Sequence, residues 1–201
     1  MFCLDFIRRR LAEHQPERYE TGAHTREAAV AVILRAQPDD IEVLFIQRAE
    51  KRGDPWSGHM AFPGGHRDSV DADTLAAAVR ETLEEVGLDL STAEYLGALD
   101  PQRAMPRGRA LDMVIEPHVF ALDHDPVLTP NYEVQDVVWA PLSTLASNLW
   151  HGTETRPMAG TPTTFNGYRL ERGHFVWGLT YRMLKSFFVT LDPEWRHADQ
   201  N

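Results

Sequence analysis

Three glutamates, Glu81, Glu84 and Glu85, follow closely on a tight turn, Phe62-Pro63-Gly64-Gly65. At about 100° per residue on a helix they share one narrow sector, and like charges at that spacing destabilise an isolated helix. Either they separate into water or a cation sits among them. Hard divalent ions such as Mg²⁺ take oxygen ligands, keep several waters and share their sites with substrate phosphates. A carboxylate cluster beside a glycine turn therefore suits metal-assisted chemistry on phosphate. Taken alone, an acidic run of this kind is more often a solvated helix face with surface ion pairs.

The surrounding residues supply a frame for that cluster. Pro63 fixes its own φ, while Gly64 and Gly65 permit backbone angles and close approaches that a side chain forbids. Asp71 or Asp73 offers an N-cap, Thr74–Val86 has helix-forming composition, and Gly87 sits where a left-handed C-terminal cap is expected. Leu75, Val79, Leu83 and Val86 are expected on an apolar face, and Arg80 stands four residues before Glu84, close enough for an ion pair.

The run Arg80-Glu81-Thr82-Leu83-Glu84-Glu85-Val86-Gly87-Leu88 resembles the second half of the Nudix hydrolase signature, Gly-x5-Glu-x7-Arg-Glu-x-x-Glu-Glu-x-Gly and an apolar residue. The first half departs from it: Asp71 stands at the expected glutamate, and one extra residue precedes Arg80. That extension resembles the coenzyme A pyrophosphatase branch. The resemblance implies that Glu81, Glu84, Glu85 and the Gly65 carbonyl hold catalytic Mg²⁺ or Mn²⁺ ions and that Arg80 orients a glutamate. Glu133, before the Trp139-Ala140-Pro141-Leu142 strand end, is a further candidate ligand or general base. The loop Arg48–Ala61 matches the branch in part, with His59 in place of the usual Gln or Glu; Arg48, Arg52, Trp56 and His59 are the expected substrate contacts. Further matches are Leu96-Gly97, Ile115 with Pro117, and Val176-Trp177-Gly178-Leu179-Thr180.

Composition narrows the remaining classes. The 201 residues suit one domain, and 43% hydrophobic with 25% charged residues is ordinary for a soluble globular protein. A net charge of −10 opposes broad binding to nucleic acid or to an anionic membrane. An acidic enzyme acting on polyanions must gather cations locally. Cys3, the only cysteine, excludes intramolecular disulfides and reads as a partly buried apolar residue. No HExxH, Gly-x-Ser-x-Gly or Walker-type motif occurs. The basic residues of Met1–Leu11 follow the apolar ones, the wrong order for a secretory signal, so the segment reads as an amphipathic helix of a cytoplasmic protein.

In chain order, that helix spans about Leu4–His14, and strands are expected at Glu27–Leu34 and Ile41–Gln47 around a turn at 37–40. Further strands are expected at Tyr95–Asp100, at Leu111–Leu122 with an irregularity at Pro117, and at Asn131–Leu142. Pro101–Arg109 reads as an Arg-rich loop with Arg103, Arg107 and Arg109. Trp150–Thr163, rich in Gly, Pro and Thr, reads as a flexible loop, Thr164–Arg172 as a hairpin arm and Phe175–Leu191 as one amphipathic helix. The expected architecture is α/β: a Nudix fold, an α/β/α sandwich with a mixed sheet. Residues 1–26 form an N-terminal helix and linker, 27–191 the Nudix domain and 192–201 a tail. The resemblance implies hydrolysis of the diphosphate of coenzyme A or acyl-coenzyme A to 3′,5′-ADP and (acyl)phosphopantetheine. The alternatives are an ADP-ribose, nucleotide-sugar or other nucleoside diphosphate-X hydrolase, or a non-catalytic nucleotide-binding regulator. The partner is a small-molecule nucleotide, and a homodimer is permitted by the N-terminal helix.

Overall fold

The structure, a computed structural model, describes residues 2–19, 22, 24–54, 56–104, 112–158 and 160–198. Arg107, Arg109, Leu111 and the last three residues of the expected tail lie outside the described residues.

Two apolar runs build the centre. β1 (Arg26–Ala36) and β2 (Ile41–Arg48) pair antiparallel across the expected turn, and β1 also pairs in parallel with β7 (Met113–Leu122) over its whole length, from Arg26 opposite Met113 to Arg35 opposite Leu122. β3 (Met60–Ala61) and β8 (Val134–Pro141) add to β2, β4 (Gly64–His66) to β1, and β5 (Glu94–Ala98) and β6 (Gln102–Ala104) to β7. The eight-stranded sheet is therefore mixed. Its central strands, β1, β2 and β7, are buried on both faces, which is why they read as continuous apolar runs.

Side-chain alternation assigns the two faces. Ala29, Ala31, Ile33, Leu44 and Ile46 meet Ala77, Ala78 and Val86 of α2 (Thr74–Val86). Val32, Leu34, Val43 and Phe45 belong to the opposite core, with α1 (Leu4–Glu13), α3 (Leu142–Ala146) and α4 (Gly178–Leu191). Ile7 and Leu11 of α1 are fully packed there, and Arg10 Nε donates to the Leu191 carbonyl at 2.8 Å. The apolar face of α1 is thus covered within the chain and gives no support to a dimer. Cys3 is exposed, contrary to its reading as partly buried.

Three further expectations are corrected. The segment read as a flexible loop is β9 (His151–Met158), which forms a long hairpin with β10 (Thr161–Arg169); its Pro157 and Pro162 stand opposite each other near the tip. The helix expected from Phe175 begins only at Gly178, because Phe175–Trp177 is β11, paired with β10 in a separate three-stranded sheet. Pro117 does not disturb β7 against β1. It lies between the stretch paired with β5 and the stretch paired with β6, where its missing N–H interrupts no ladder. Among the described residues, no helix is long and apolar enough to cross a membrane.

Candidate active site

α2 carries the acidic cluster and its ends are well fixed. Asp73, not Asp71, is the N-cap and accepts from Ala76 N at 2.8 Å; Gly87, at φ +69°, closes the C-terminus as expected. The buried face is Ala77, Ala78, Thr82, Glu85 and Val86, with Leu75 and Val79 partly buried against it. Leu83 departs from expectation and is half exposed. Thr82 takes the inner position because its hydroxyl donates to the Ala78 carbonyl at 2.7 Å and leaves no unsatisfied group.

The three glutamates occupy different environments. Glu84 is exposed, whereas the Glu85 side chain is 3% exposed and accepts from Gly64 N at 2.9 Å. Burial pushes the Glu85 carboxyl up to about 7, with the charges of Glu81 and Glu133 adding to the effect of burial. Burial likewise raises Glu81, against the pull of Arg80. A Cβ on Gly65 would fall 2.4 Å from the Glu81 carboxylate, so glycine alone lets that carboxylate lie against the backbone of β4.

The cation among these carboxylates is Arg80, and its main partner was not the expected one. Arg80 pairs through Nε and Nη2 with Asp71 at 3.0 and 2.9 Å, donates to the His66 carbonyl at 3.0 Å, and reaches Glu81 at 3.0 Å. Glu84 is more distant, at 3.4 Å. Asp71, the residue out of step with the signature, also accepts from Asp68 N at 2.8 Å, and Arg80 holds it below the usual carboxylate range. Asp71 and Arg80 together tie the loop after β4 to the helix.

Glu133 arrives from the far side. Asn131 Nδ2 donates to the Glu84 carbonyl at 2.8 Å, Asn131 N to the Glu85 carbonyl at 2.9 Å, and Asn131 Oδ1 accepts from Glu133 N at 2.7 Å. Asn131 was missed by the sequence reading; its signal was an Asn two residues before Glu133, the spacing of an Asx turn. Among the described residues, no three His, Cys, Asp or Glu side chains already converge as ligands. The donor chemistry nevertheless fits a hard divalent cation. Glu81 and Glu85 are desolvated carboxylates, each acted on by Glu133, and the cation nearest Glu85 is Arg48, 4.0 Å away.

These groups form one end of a cavity of about 1060 Å³, whose walls include Gly65, Glu81, Glu85, Glu133, Arg48, Arg52, Trp56 and His59. The expected substrate contacts are therefore brought together with the acidic cluster, while Glu84 stands outside the lining. Arg48 is held by Asp54 at 2.9 Å, and Arg52 is exposed. The His59 ring lies 4.6 Å from Trp177, tilted by 58°, and burial together with Arg156 lowers its pKa to about 4, so it is neutral near pH 7.

A mixed sheet sandwiched by helices, with a glycine turn feeding an acidic helix, defines the class, and residues 24–159 match the NUDIX domain family. The chain belongs to the Nudix hydrolase family. It is similar to the mouse peroxisomal coenzyme A diphosphatase NUDT7, at 37% identity over 57% of this chain and 46% of that protein. It is also similar to the Salmonella Nudix hydrolase NudL, at 29% identity over 94% of each. The chain spans about half the length of the curated relatives it matches at 37% identity. Among solved structures, a MutT/nudix family protein from Enterococcus faecalis aligns with a TM-score of 0.55 and 20% identity, covering 96% of this chain and 70% of that one, a likeness of fold.

Proposed function

We propose that this chain hydrolyses the diphosphate linkage of coenzyme A or an acyl-coenzyme A, releasing 3′,5′-ADP and (acyl)phosphopantetheine. The observation that carries the reading is the desolvated Glu85 beside Glu81 and Glu133 at one end of a cavity large enough for a substituted nucleotide. The similarity to a coenzyme A diphosphatase supports the substrate.

Glu81, Glu84, Glu85 and the Gly65 carbonyl would hold Mg²⁺ or Mn²⁺, which when bound neutralises phosphate charge and lowers the pKa of water. Glu133, in the turn just before β8, lines the same cavity and is the candidate to accept the water's proton. Arg80, anchored by Asp71, fixes the orientation of Glu81. Arg48 and Arg52 offer donors to phosphate oxygens, and Trp56 and His59 offer ring faces to the rest of the substrate. In an overall acidic chain, these two arginines supply the local positive charge that a polyphosphate requires.

The test is product analysis after incubation with Mg²⁺ and, separately, coenzyme A, acetyl-coenzyme A, ADP-ribose, a nucleotide sugar and a dinucleoside polyphosphate. Release of 3′,5′-ADP, absent in Glu84→Gln, is expected. Turnover confined to ADP-ribose or a sugar nucleotide would keep the hydrolysis and overturn the substrate. Silence across the panel would favour a binding role.

A further inference from the structure

The far end of the same cavity is built differently. Along β9, Glu154, Arg156 and Met158 are half-buried while Thr153, Thr155 and Pro157 are exposed, and the register sets Phe165 opposite Glu154 and Thr163 opposite Arg156. This inward row meets Trp177, whose ring lies 4.5 Å from Phe165 and 4.6 Å from His59. Arg156 covers Trp177 at 5.0 Å, and its charge is paired with Glu154 at 2.7 Å. His59 is neutral near pH 7 for the reasons given above. Met158, Phe165, Trp177, Leu179, Trp56 and His59 thus give the cavity a wall rich in rings, and the charged lining residues of α4, Arg182 and Lys185, come after its first turn.

Close approach keeps this wall in place. A Cβ on Gly167 of β10 would fall 2.2 Å from the Val176 carbonyl of β11 and 2.7 Å from the Phe175 ring, so glycine lets the hairpin seat on β11. β10, β11 and α4 also lie beyond the residues that match the family, 24–159. Trp56, His59 and Met158 fall within the matched residues, whereas Phe165, Trp177 and Leu179 fall beyond them.

The two ends share one cavity, so a diphosphate held at Glu81 and Glu85 must direct one of its substituents along the remaining wall. We propose that the β9–β10 hairpin and the first turn of α4 form a chamber for an uncharged, apolar substituent of the diphosphate substrate, and that this chamber sets which substituent is preferred. The proposal rests on the diphosphate hydrolase reading; with an acyl-coenzyme A as substrate, the part seated in the chamber is the acyl chain at the end of the pantetheine arm. Burial of apolar surface against Met158 and Phe165 supplies the preference.

Equilibrium binding of free coenzyme A and octanoyl-coenzyme A to the metal-free chain tests the chamber, with turnover in Mg²⁺ measured in parallel. The wild type is expected to bind the octanoyl ester about tenfold more tightly than the free thiol, in the range that small apolar differences produce. Phe165→Ala is expected to bring that ratio near one without weakening free coenzyme A, and Phe165→Leu to restore part of it. An unchanged ratio in folded Phe165→Ala, or no binding of either ligand, would overturn the chamber. Met158→Ser carries the same comparison should Phe165→Ala fail to fold. Absence of 3′,5′-ADP with the binding ratio intact would sink the hydrolysis reading and leave the chamber standing.

Discussion

At one end of the cavity, α2 presses carboxylates against the backbone of β4; at the other, a hairpin packs neutral rings near the start of α4. The acidic end is held by charge, through Arg80, Asp71 and the backbone N–H of Gly64. The ring-lined end is held by packing. A desolvated charge tolerates little change in its partners, whereas apolar packing weakens in proportion to the surface removed. The acidic end should therefore fail abruptly when altered, and the other end by degrees.

Glu85→Gln is the sharpest way to test this contrast. Activity is expected to fall about 10³-fold, the scale for losing a group that acts on the reacting centre. The same substitution should raise the Tm of metal-free protein at pH 8. Burial raises the folded pKa of Glu85 from 4.5 to about 7, so its contribution to stability is present below pH 4.5 and lost as pH rises toward 7. By the same sign, Mg²⁺ should raise Tm more at pH 8 than at pH 5.5. Thermal unfolding by calorimetry, with and without Mg²⁺, reads all three; a Tm that falls in Glu85→Gln would contradict the strained carboxylate.

Gly65→Ala comes next, with about a 10²-fold loss of kcat/KM, because its Cβ displaces the Glu81 carboxylate from 2.4 Å. Arg80→Ala should cost roughly 10- to 100-fold, the range for residues supporting a metal ligand, and Asp71→Asn less. Equal losses for Asp71→Asn and Arg80→Ala in steady-state kinetics would mean that Asp71 carries the whole of the contribution of Arg80.

The smallest effect belongs to the neutral ring. The folded pKa of His59 lies near 4 against an ordinary 6.5, so stability is full above pH 6.5 and declines as pH falls from there toward 4. The groups facing it are Arg156 and Arg48, which lower it, and Asp54, which raises it. A Tm measured from pH 7 to pH 5 should decline less steeply in His59→Gln than in the wild type.

The acidic end was legible because charge and backbone geometry leave few residue choices. Gly64, Gly65, Gly87 and the three glutamates each stand where one residue type serves, and the apolar strands at the centre announce themselves by composition. The hairpin hid behind its own exposure. Its outward residues are Thr and Pro, its inward row includes an Arg-Glu pair, and such a mixture resembles a loop when neighbours in space are unknown. Leu83 and Thr82 exchanged places for a similar reason: a hydroxyl that bonds within its own helix can be buried, which hydrophobic periodicity does not register. Asp71 stood out of step with the signature and read as a candidate N-cap because its partner, Arg80, lies on the next element.

The parallel register of β1 with β7 sets the order in which these parts can be assembled. From Arg26 to Arg35, β1 meets partners from the other half of the chain, and the glycine turn and α2 lie inside the loop that the pairing closes. Closing such a loop precedes the contacts that reward it, and folds dominated by distant pairings reach the native state slowly. Refolding should accordingly show helix signal from α2 and α4 well before activity returns, since the sheet that carries β4 beneath α2 is complete only once β1 has met β7.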